Sequence, residues 1–284
     1  MKYYVIIPAY NEEKFVYLTL NSLLAQSVLP DKIVVVNDNS TDKTAEIIRK
    51  FELKHSFISL VNIVSQAIHL PGSKVVQAFY KGFETVDDDY DFIVKLDADL
   101  ILPANYFETI LNIFKSDATI GMAGGFAFIE KNGDWILENL TDKDHIRGAF
   151  KTYRKKCFKE IGGLQSEMGW DTVDELLCKY YGWNVVTDET LKIKHLKPTG
   201  ANYSKTARFK QGEAFYRLGY GFWITAIASA KLSFLKQKPL LFFDYLNGFW
   251  KAKQSKKSLL VTADQGKFIR KYRWGKMKSK FKNI

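Results

Sequence analysis

From residue 3 to residue 115, short apolar runs alternate with helical patterns, and the runs give way to polar loops. Tyr3-Tyr4-Val5-Ile6-Ile7, Ile33-Val34-Val35-Val36, Ile58–Val64 and Phe92-Ile93-Val94-Lys95-Leu96 read as strands. A continuous apolar run of this length suits a strand covered on both faces. Between the strands lies a helical stretch on which Phe15, Leu18, Leu23 and Leu24 share a face. A second carries Ala45, Ile47, Ile48 and Phe51, with Ser40, Thr41 or Asp42 as its N-cap. A third covers Ser73–Thr85, and Pro103–Lys115 follows, opened by proline in its first turn. Alternation at this spacing demands crossover connections, so the chain predicts an α/β fold with a mostly parallel central sheet flanked by helices. In open sheets of this kind ligands collect beyond the carboxyl ends of the strands. Pro8–Glu12, Asn37–Asp42 and Asp97–Asp99 all fall at such ends.

Asp97-Ala98-Asp99 carries the most chemistry of the three. A carboxylate near a core is costly unless something compensates its charge, and a hard divalent cation is the natural remedy. Such an ion takes one or two carboxylates beside substrate phosphates, which suggests a metal–diphosphate site. Taken alone, the pair is equally a turn or a solvated surface feature, Asp38 a turn or cap residue, and Tyr10 a core aromatic. Lys74, after His69-Leu70-Pro71-Gly72-Ser73, either reaches a phosphate or caps a proline–glycine turn in solvent.

Ile7-Pro8-Ala9-Tyr10-Asn11-Glu12, Val36-Asn37-Asp38-Asn39-Ser40-Thr41-Asp42 and Leu96-Asp97-Ala98-Asp99, in that order and spacing, resemble the serial signatures of family 2 glycosyltransferases with the GT-A fold. The resemblance spans about residues 1–200. It implies a nucleotide-activated sugar donor, inversion at the anomeric carbon and a divalent metal, Mg or Mn. Pro8, Ala9 and Tyr10 would line the base and ribose, with Glu12 near the ribose. Asp38 would accept a hydrogen bond from the base, typically uracil N3–H; Asn37 stands where many members carry a second acid. Asp97 would face the ribose or sugar, and Asp99 would bind the metal. Gly121–Phe128 reads as a strand opening the acceptor half, and Arg147-Gly148-Ala149-Phe150 precedes a basic helix ending at Ile161-Gly162-Gly163-Leu164. Trp170-Asp171 occupies the place where many relatives carry Glu-Asp, which makes Asp171 the expected catalytic base and Asp174 the second candidate. Both also suit the start of a helix on dipole grounds alone. His195 would be the extra metal ligand; a lone histidine is otherwise a satisfied surface or core residue.

Residues 197–284 change character, with 20 Lys+Arg against three Asp+Glu, net +17, while residues 1–196 carry a net −6. This segment is also rich in aromatics. Its longest apolar stretch, Gly219–Leu235, has 17 residues and is broken by Lys231, short of the ~20 that span a bilayer. Pro239–Trp250 is shorter. Aromatic-rich helices flanked by lysines suit an anionic membrane surface; packing on the core, pairing with a second subunit and, ranked last, nucleic-acid binding are the alternatives. Cys157 and Cys178 are too few for a disulfide framework. No zinc spacing, phosphate-binding P-loop or nucleophile elbow appears, and Met1-Lys2 runs into a strand without a leader pattern. The expectation is a domain over 1–200 and a helical basic tail over 201–284. The activity expected is sugar transfer from a nucleotide donor, UDP first, to a glycan or lipid-linked acceptor, peripherally on the cytoplasmic face of the cell membrane. A nucleotidyltransferase and a non-catalytic nucleotide-sugar binder are the alternatives, and oligomeric state is not legible.

Overall fold

The computed structural model describes residues 1–65, 72–138, 144–197 and 207–282. The chain divides into two compact units, one of residues 1–166 with 170–199, the other of 167–169 with 200–284.

The first unit opens with β1 (Tyr3–Ala9), α1 (Val16–Leu24), β2 (Lys32–Asp38), α2 (Thr44–Glu52), β3 (Ile58–Ile63), α3 (Ser73–Phe83) and β4 (Phe92–Leu96). It continues with β5 (Leu100–Ile101), α4 (Tyr106–Ser116), β6 (Ile120–Lys131), β7 (Asp134–Leu137), β8 (Phe150–Arg154), α5 (Lys155–Glu160), α6 (Trp170–Tyr180) and β9 (Asn184–His195). The strands form one sheet in the order β3-β2-β1-β4-β8-β6-β9-β5, with β7 hydrogen-bonded to β6. Strands β1 to β4 pair in parallel, as does β6 with β9, while β8 runs antiparallel to both β4 and β6. The sheet is therefore mixed: its parallel half comes from the strand–helix repeats of the N-terminal part.

The apolar runs are core: Val5, Ile6, Ile7, Ile33, Val35, Val36, Ile93 and Val94 have no exposed surface. Helix α3 lies so close over β1 and β2 that a Cβ on Gly82 would stand 2.6 Å from Val36 Cγ2 and 2.8 Å from Ile6 Cγ2. Helix α1 buries Val16, Thr19, Leu20 and Leu23 rather than the expected Phe15, Leu18 and Leu24. The face is rotated because the Thr19 hydroxyl, polar and hence invisible to an apolar pattern, is drawn inward by backbone partners on the Asp97–Asp99 turn. Asp42, one of the three expected caps, accepts from the Thr44 amide at 3.0 Å at the start of α2. The loop 66–71, including His69, Leu70 and Pro71, lies outside the described residues.

Strands β5, β7 and β8 were not legible as apolar runs. Phe150-Lys151-Thr152-Tyr153-Arg154 carries four polar or amphipathic residues and reads as part of a basic helix; it is instead a strand, because Lys151 finds anions inside the protein. The helix that follows is only Lys155–Glu160. Cys157 and Cys178 are free and buried, their Sγ atoms 3.6 Å apart.

The second unit is helical: α7 (Ala207–Arg217), α8 (Gly221–Leu235), α9 (Leu240–Gln254) and α10 (Ala263–Lys282). Helices α7 and α9 touch backbone to backbone: a Cβ on Gly212 would meet Tyr245 O at 1.8 Å, and one on Gly248 would meet Phe209 O at 2.0 Å. Arg270 Nη1 donates to Gly219 O at 2.8 Å and Arg273 Nη2 to Tyr220 OH at 2.5 Å, tying α10 to the start of α8. Among the described residues no helix is long and apolar enough to cross a membrane.

Candidate active site

At the carboxyl ends of β1, β2 and β4 the sheet opens into a cleft of about 720 Å³. Pro8, Ala9, Tyr10, Glu12, Asp38, Lys74, Asp97 and Asp99 all line it, joined by Asn39, Ser65, Val75, Ala78, Ala98 and Lys197. Three loops distant in sequence thus share one wall, as the order of parallel strands dictates.

Each wall residue is held by a specific partner. Asp38 is buried and its Oδ1 accepts from the Ser65 amide at 3.0 Å. Beside it Asn37 Nδ2 donates to Asn62 Oδ1 at 2.8 Å, which gives the amide a structural post in β2. Tyr10 stands exposed at the rim rather than in the core. Glu12 Oε1 pairs with Lys197 Nζ at 2.5 Å, while Oε2 is buried with no hydrogen-bond partner among the described residues. Burial raises the Glu12 carboxyl above its usual range against the pull of Lys197, and Asp99 adds to the rise.

The Asp97-Ala98-Asp99 turn is pinned from below by Thr19, whose hydroxyl donates to Ala98 O at 2.7 Å and accepts from the Leu100 amide at 3.0 Å. Asp97 N donates to Ala149 O at 2.8 Å, and its carboxylate pairs with Lys95 Nζ. Burial pushes the Asp97 carboxyl up; Lys95 opposes that, and Asp99 reinforces it. Directly after Asp99, the short β5 pairs with β9 so that Leu100 stands opposite His195. That register sets His195 Nε2 3.5 Å from Asp99 Oδ2, with His195 Nδ1 3.4 Å from Glu138 Oε2. Arg147 in turn pairs with Glu138. Burial works against a charged imidazole, but the hydrogen bonds to Asp99 and Glu138 outweigh it and raise His195 to about 9.

Among the described residues no three His, Cys, Asp or Glu side chains gather into a metal cluster. Asp99 and His195 nevertheless fit a hard divalent cation. Two protein donors converge, leaving other positions to phosphate and water, and Glu138 orients the imidazole from behind as carboxylates do for metal-binding histidines.

Asp171 and Asp174 do not line the cleft. Asp171 is the second residue of α6, and its carbonyl accepts from Lys151 Nζ at 2.5 Å. Asp174, one turn on, is fully enclosed: both oxygens take Lys151 Nζ, at 2.9 and 3.0 Å, and Oδ2 takes Tyr153 OH at 2.6 Å. Glu175 Oε1 also accepts from Lys151, at 3.2 Å, and from the Ile146 amide at 2.8 Å. Trp170 connects this cluster with the cleft, its ring lying 5.3 Å from Lys95 Nζ and 5.8 Å from Lys151 Nζ.

The family model for Glycosyl transferase family 2 matches residues 4–168, more than half of the chain. The chain belongs to glycosyl transferase family 2. Among curated members, poly-beta-1,6-N-acetyl-D-glucosamine synthase of Staphylococcus epidermidis is 24% identical over 182 residues, covering 57% of this chain and 42% of that protein. The Staphylococcus aureus (strain COL) synthase is 28% identical over 183 residues with the same coverage. This family member therefore spans less than half the length of those relatives. Of solved structures, the Pyrobaculum calidifontis mannosyltransferase PcManGT, in complex with GDP-Man and Mn2+, superposes with a TM-score of 0.57 at 16% identity over 94% of this chain and 78% of that one. S. aureus TarS residues 1–349 with UDP-GlcNAc gives 0.58 at 18% identity over 93% and 77%. These likenesses establish the GT-A fold for this glycosyl transferase family 2 chain.

Lys95, Lys151, Thr19, Glu138 and Arg147 are site-supporting residues that the sequence reading missed. The one signal available was Lys95, a lysine inside the apolar run of β4, which asks where its counter-charge lies.

Proposed function

We propose that this chain transfers a sugar from a nucleoside diphosphate donor, UDP first among candidates, to a hydroxyl of a glycan or lipid-linked acceptor, with inversion. The observation that carries the reading is the convergence of Pro8, Asp38, Lys74, Asp97 and Asp99 on one cleft. Curated relatives named for N-acetylglucosamine polymer synthesis and a neighbour bound to UDP-GlcNAc support a UDP-sugar. Its volume suits a nucleotide, since ligand pockets run to several hundred Å³.

In this reading Pro8, Ala9, Tyr10 and Asp38 hold the base and ribose, and Asp97 orients the sugar end. Lys74 and Lys197 offset diphosphate charge. Asp99 and His195 would hold a Mg or Mn ion, which supplies electrostatic stabilisation of the leaving diphosphate. Asp171 takes the proton from the acceptor hydroxyl as that oxygen bonds to the anomeric carbon and the bond to the diphosphate oxygen breaks on the opposite face. Asp174 is tied to Lys151 and Tyr153 and serves as a positioning residue.

The test is calorimetric titration of UDP, GDP, CDP and TDP with and without Mn²⁺ on the wild type and Asp99→Asn. UDP binding that needs metal and is lost in the variant supports the proposal. Binding of another diphosphate changes the donor, and no binding by any of them sinks it.

A further inference from the structure

Helix α8 is inside out. Its buried face carries Thr225, Ser229 and Ser233 beside a single large apolar residue, Ile224, whereas Trp223 is 70% exposed, Ile227 44% and Phe234 83%. The buried hydroxyls turn back on their own helix, Thr225 to Gly221 O at 2.7 Å and Ser233 to Ala230 O at 2.9 Å, and Ser229 Oγ has no hydrogen-bond partner among the described residues. A helix facing water does the reverse, putting apolar residues in and hydroxyls out. The following helix buries an ordinary apolar face of Tyr245, Phe249 and Ala252, yet it too leaves Leu240 and Phe243 mostly exposed on its outer stripe. Trp250 joins the stripes at the far end, its ring 5.8 Å from that of Phe222. Leu235, Lys236, Lys238 and Leu240 form the hairpin tip.

We propose that the α8–α9 hairpin seats this outer face in the headgroup layer of an anionic lipid bilayer. Each helix has 15 residues, about 22 Å at 1.5 Å per residue, too short to span the ~30 Å hydrocarbon core but suited to lying in its plane. Charge selects the occupant. Residues 197–284 carry 20 Lys+Arg against three Asp+Glu, so a second copy would meet its own positive field, whereas anionic headgroups neutralise it. A nucleic acid would satisfy the lysines but gains nothing from the exposed aliphatic Ile227, Leu235 and Leu240. A lipid surface satisfies both. The inference is independent of the sugar-transfer reading.

Flotation of the full chain with vesicles of phosphatidylcholine alone, and of phosphatidylcholine with phosphatidylglycerol, tests it. The chain should float with the anionic vesicles only. The combined Trp223→Ser, Phe234→Ser, Phe243→Ser variant should bind them at least about tenfold less. Circular dichroism and the thermal unfolding midpoint of that variant check that it folds. As a second readout, brominated phosphatidylglycerol vesicles should quench the wild-type tryptophan emission, and less so in Trp223→Phe. Three results overturn the proposal: no flotation of the wild type, flotation or quenching untouched by these substitutions, or a wild-type dimer that the triple variant converts to monomer.

Discussion

Lys95 and Lys151 stand directly opposite one another in the antiparallel β4–β8 ladder, both buried, and both ammonium groups lie against the ring of Trp170. Like charges facing each other across a sheet repel. The pair persists because each lysine has its own anions, Asp97 for Lys95, Asp174 and Glu175 for Lys151, and both gain from the one indole. The nucleotide end and the proposed base end are thereby anchored on the same rung of one ladder.

Removing Lys151 should therefore unbalance the core. Lys151→Met leaves two buried carboxylates without their cation, which costs about 3–5 kcal/mol for a broken buried pair. Urea denaturation should show that loss with an unchanged slope. A midpoint equal to wild type would mean that Asp174 and Glu175 do not depend on this charge.

Acid should act through Glu175. Burial alone would raise this carboxyl, but Lys151 and then His145 outweigh it and hold it down at about 2, against an ordinary 4.5. A depressed carboxyl contributes stability that is present in full above pH 4.5 and lost as pH falls toward 2, about 3 kcal/mol in all. Glu175→Gln should be less stable than wild type near neutrality, and the gap should close through that window. A gap independent of pH would show that the glutamate titrates normally in the folded chain.

The two aspartates of α6 should separate cleanly. Asp171→Asn is expected to lower kcat by about 10²–10⁴, the range for a lost general base, with UDP affinity and unfolding midpoint unchanged. Asp174→Asn should instead lower the midpoint, because it disrupts the Lys151 and Tyr153 bonds. If Asp171→Asn keeps wild-type turnover once an acceptor is in hand, the base lies elsewhere.

The parallel half of the sheet was legible because its information is local: an apolar run, a polar loop, a helical face. Most of the cleft residues were legible for the same reason, sitting at a strand end; Lys74 lies instead in the first turn of α3. Strand β8 was not, since Lys151 looks solvated until Asp174 and Glu175 on α6 are folded beside it. The two-residue β5 carries no pattern at all, yet its register with β9 is what brings His195 to Asp99. The rotation of α1 was hidden likewise, because Thr19 is buried for its hydrogen bonds rather than its hydrophobicity.

Glu138 is the sharpest test of the Asp99–His195 pair. It comes from the end of the β7 hairpin, backs His195 Nδ1, and is itself paired with Arg147. Glu138→Gln keeps size and an acceptor but removes the charge. Two effects then oppose each other. The imidazole loses part of its hold on a proton, which favours a cation; Asp99, however, contributes more to that hold than Glu138 does, so the relief is the smaller part. The ring also loses its orienting carboxylate, a change that typically weakens metal binding about 10–100-fold. Net weakening of Mn²⁺ affinity is expected, about tenfold, read from the free-ion signal in electron paramagnetic resonance with UDP present, while UDP affinity without metal stays as in wild type. Equal Mn²⁺ affinity in the two proteins would remove His195 from the cation site and leave Asp99 to hold it with the diphosphate alone.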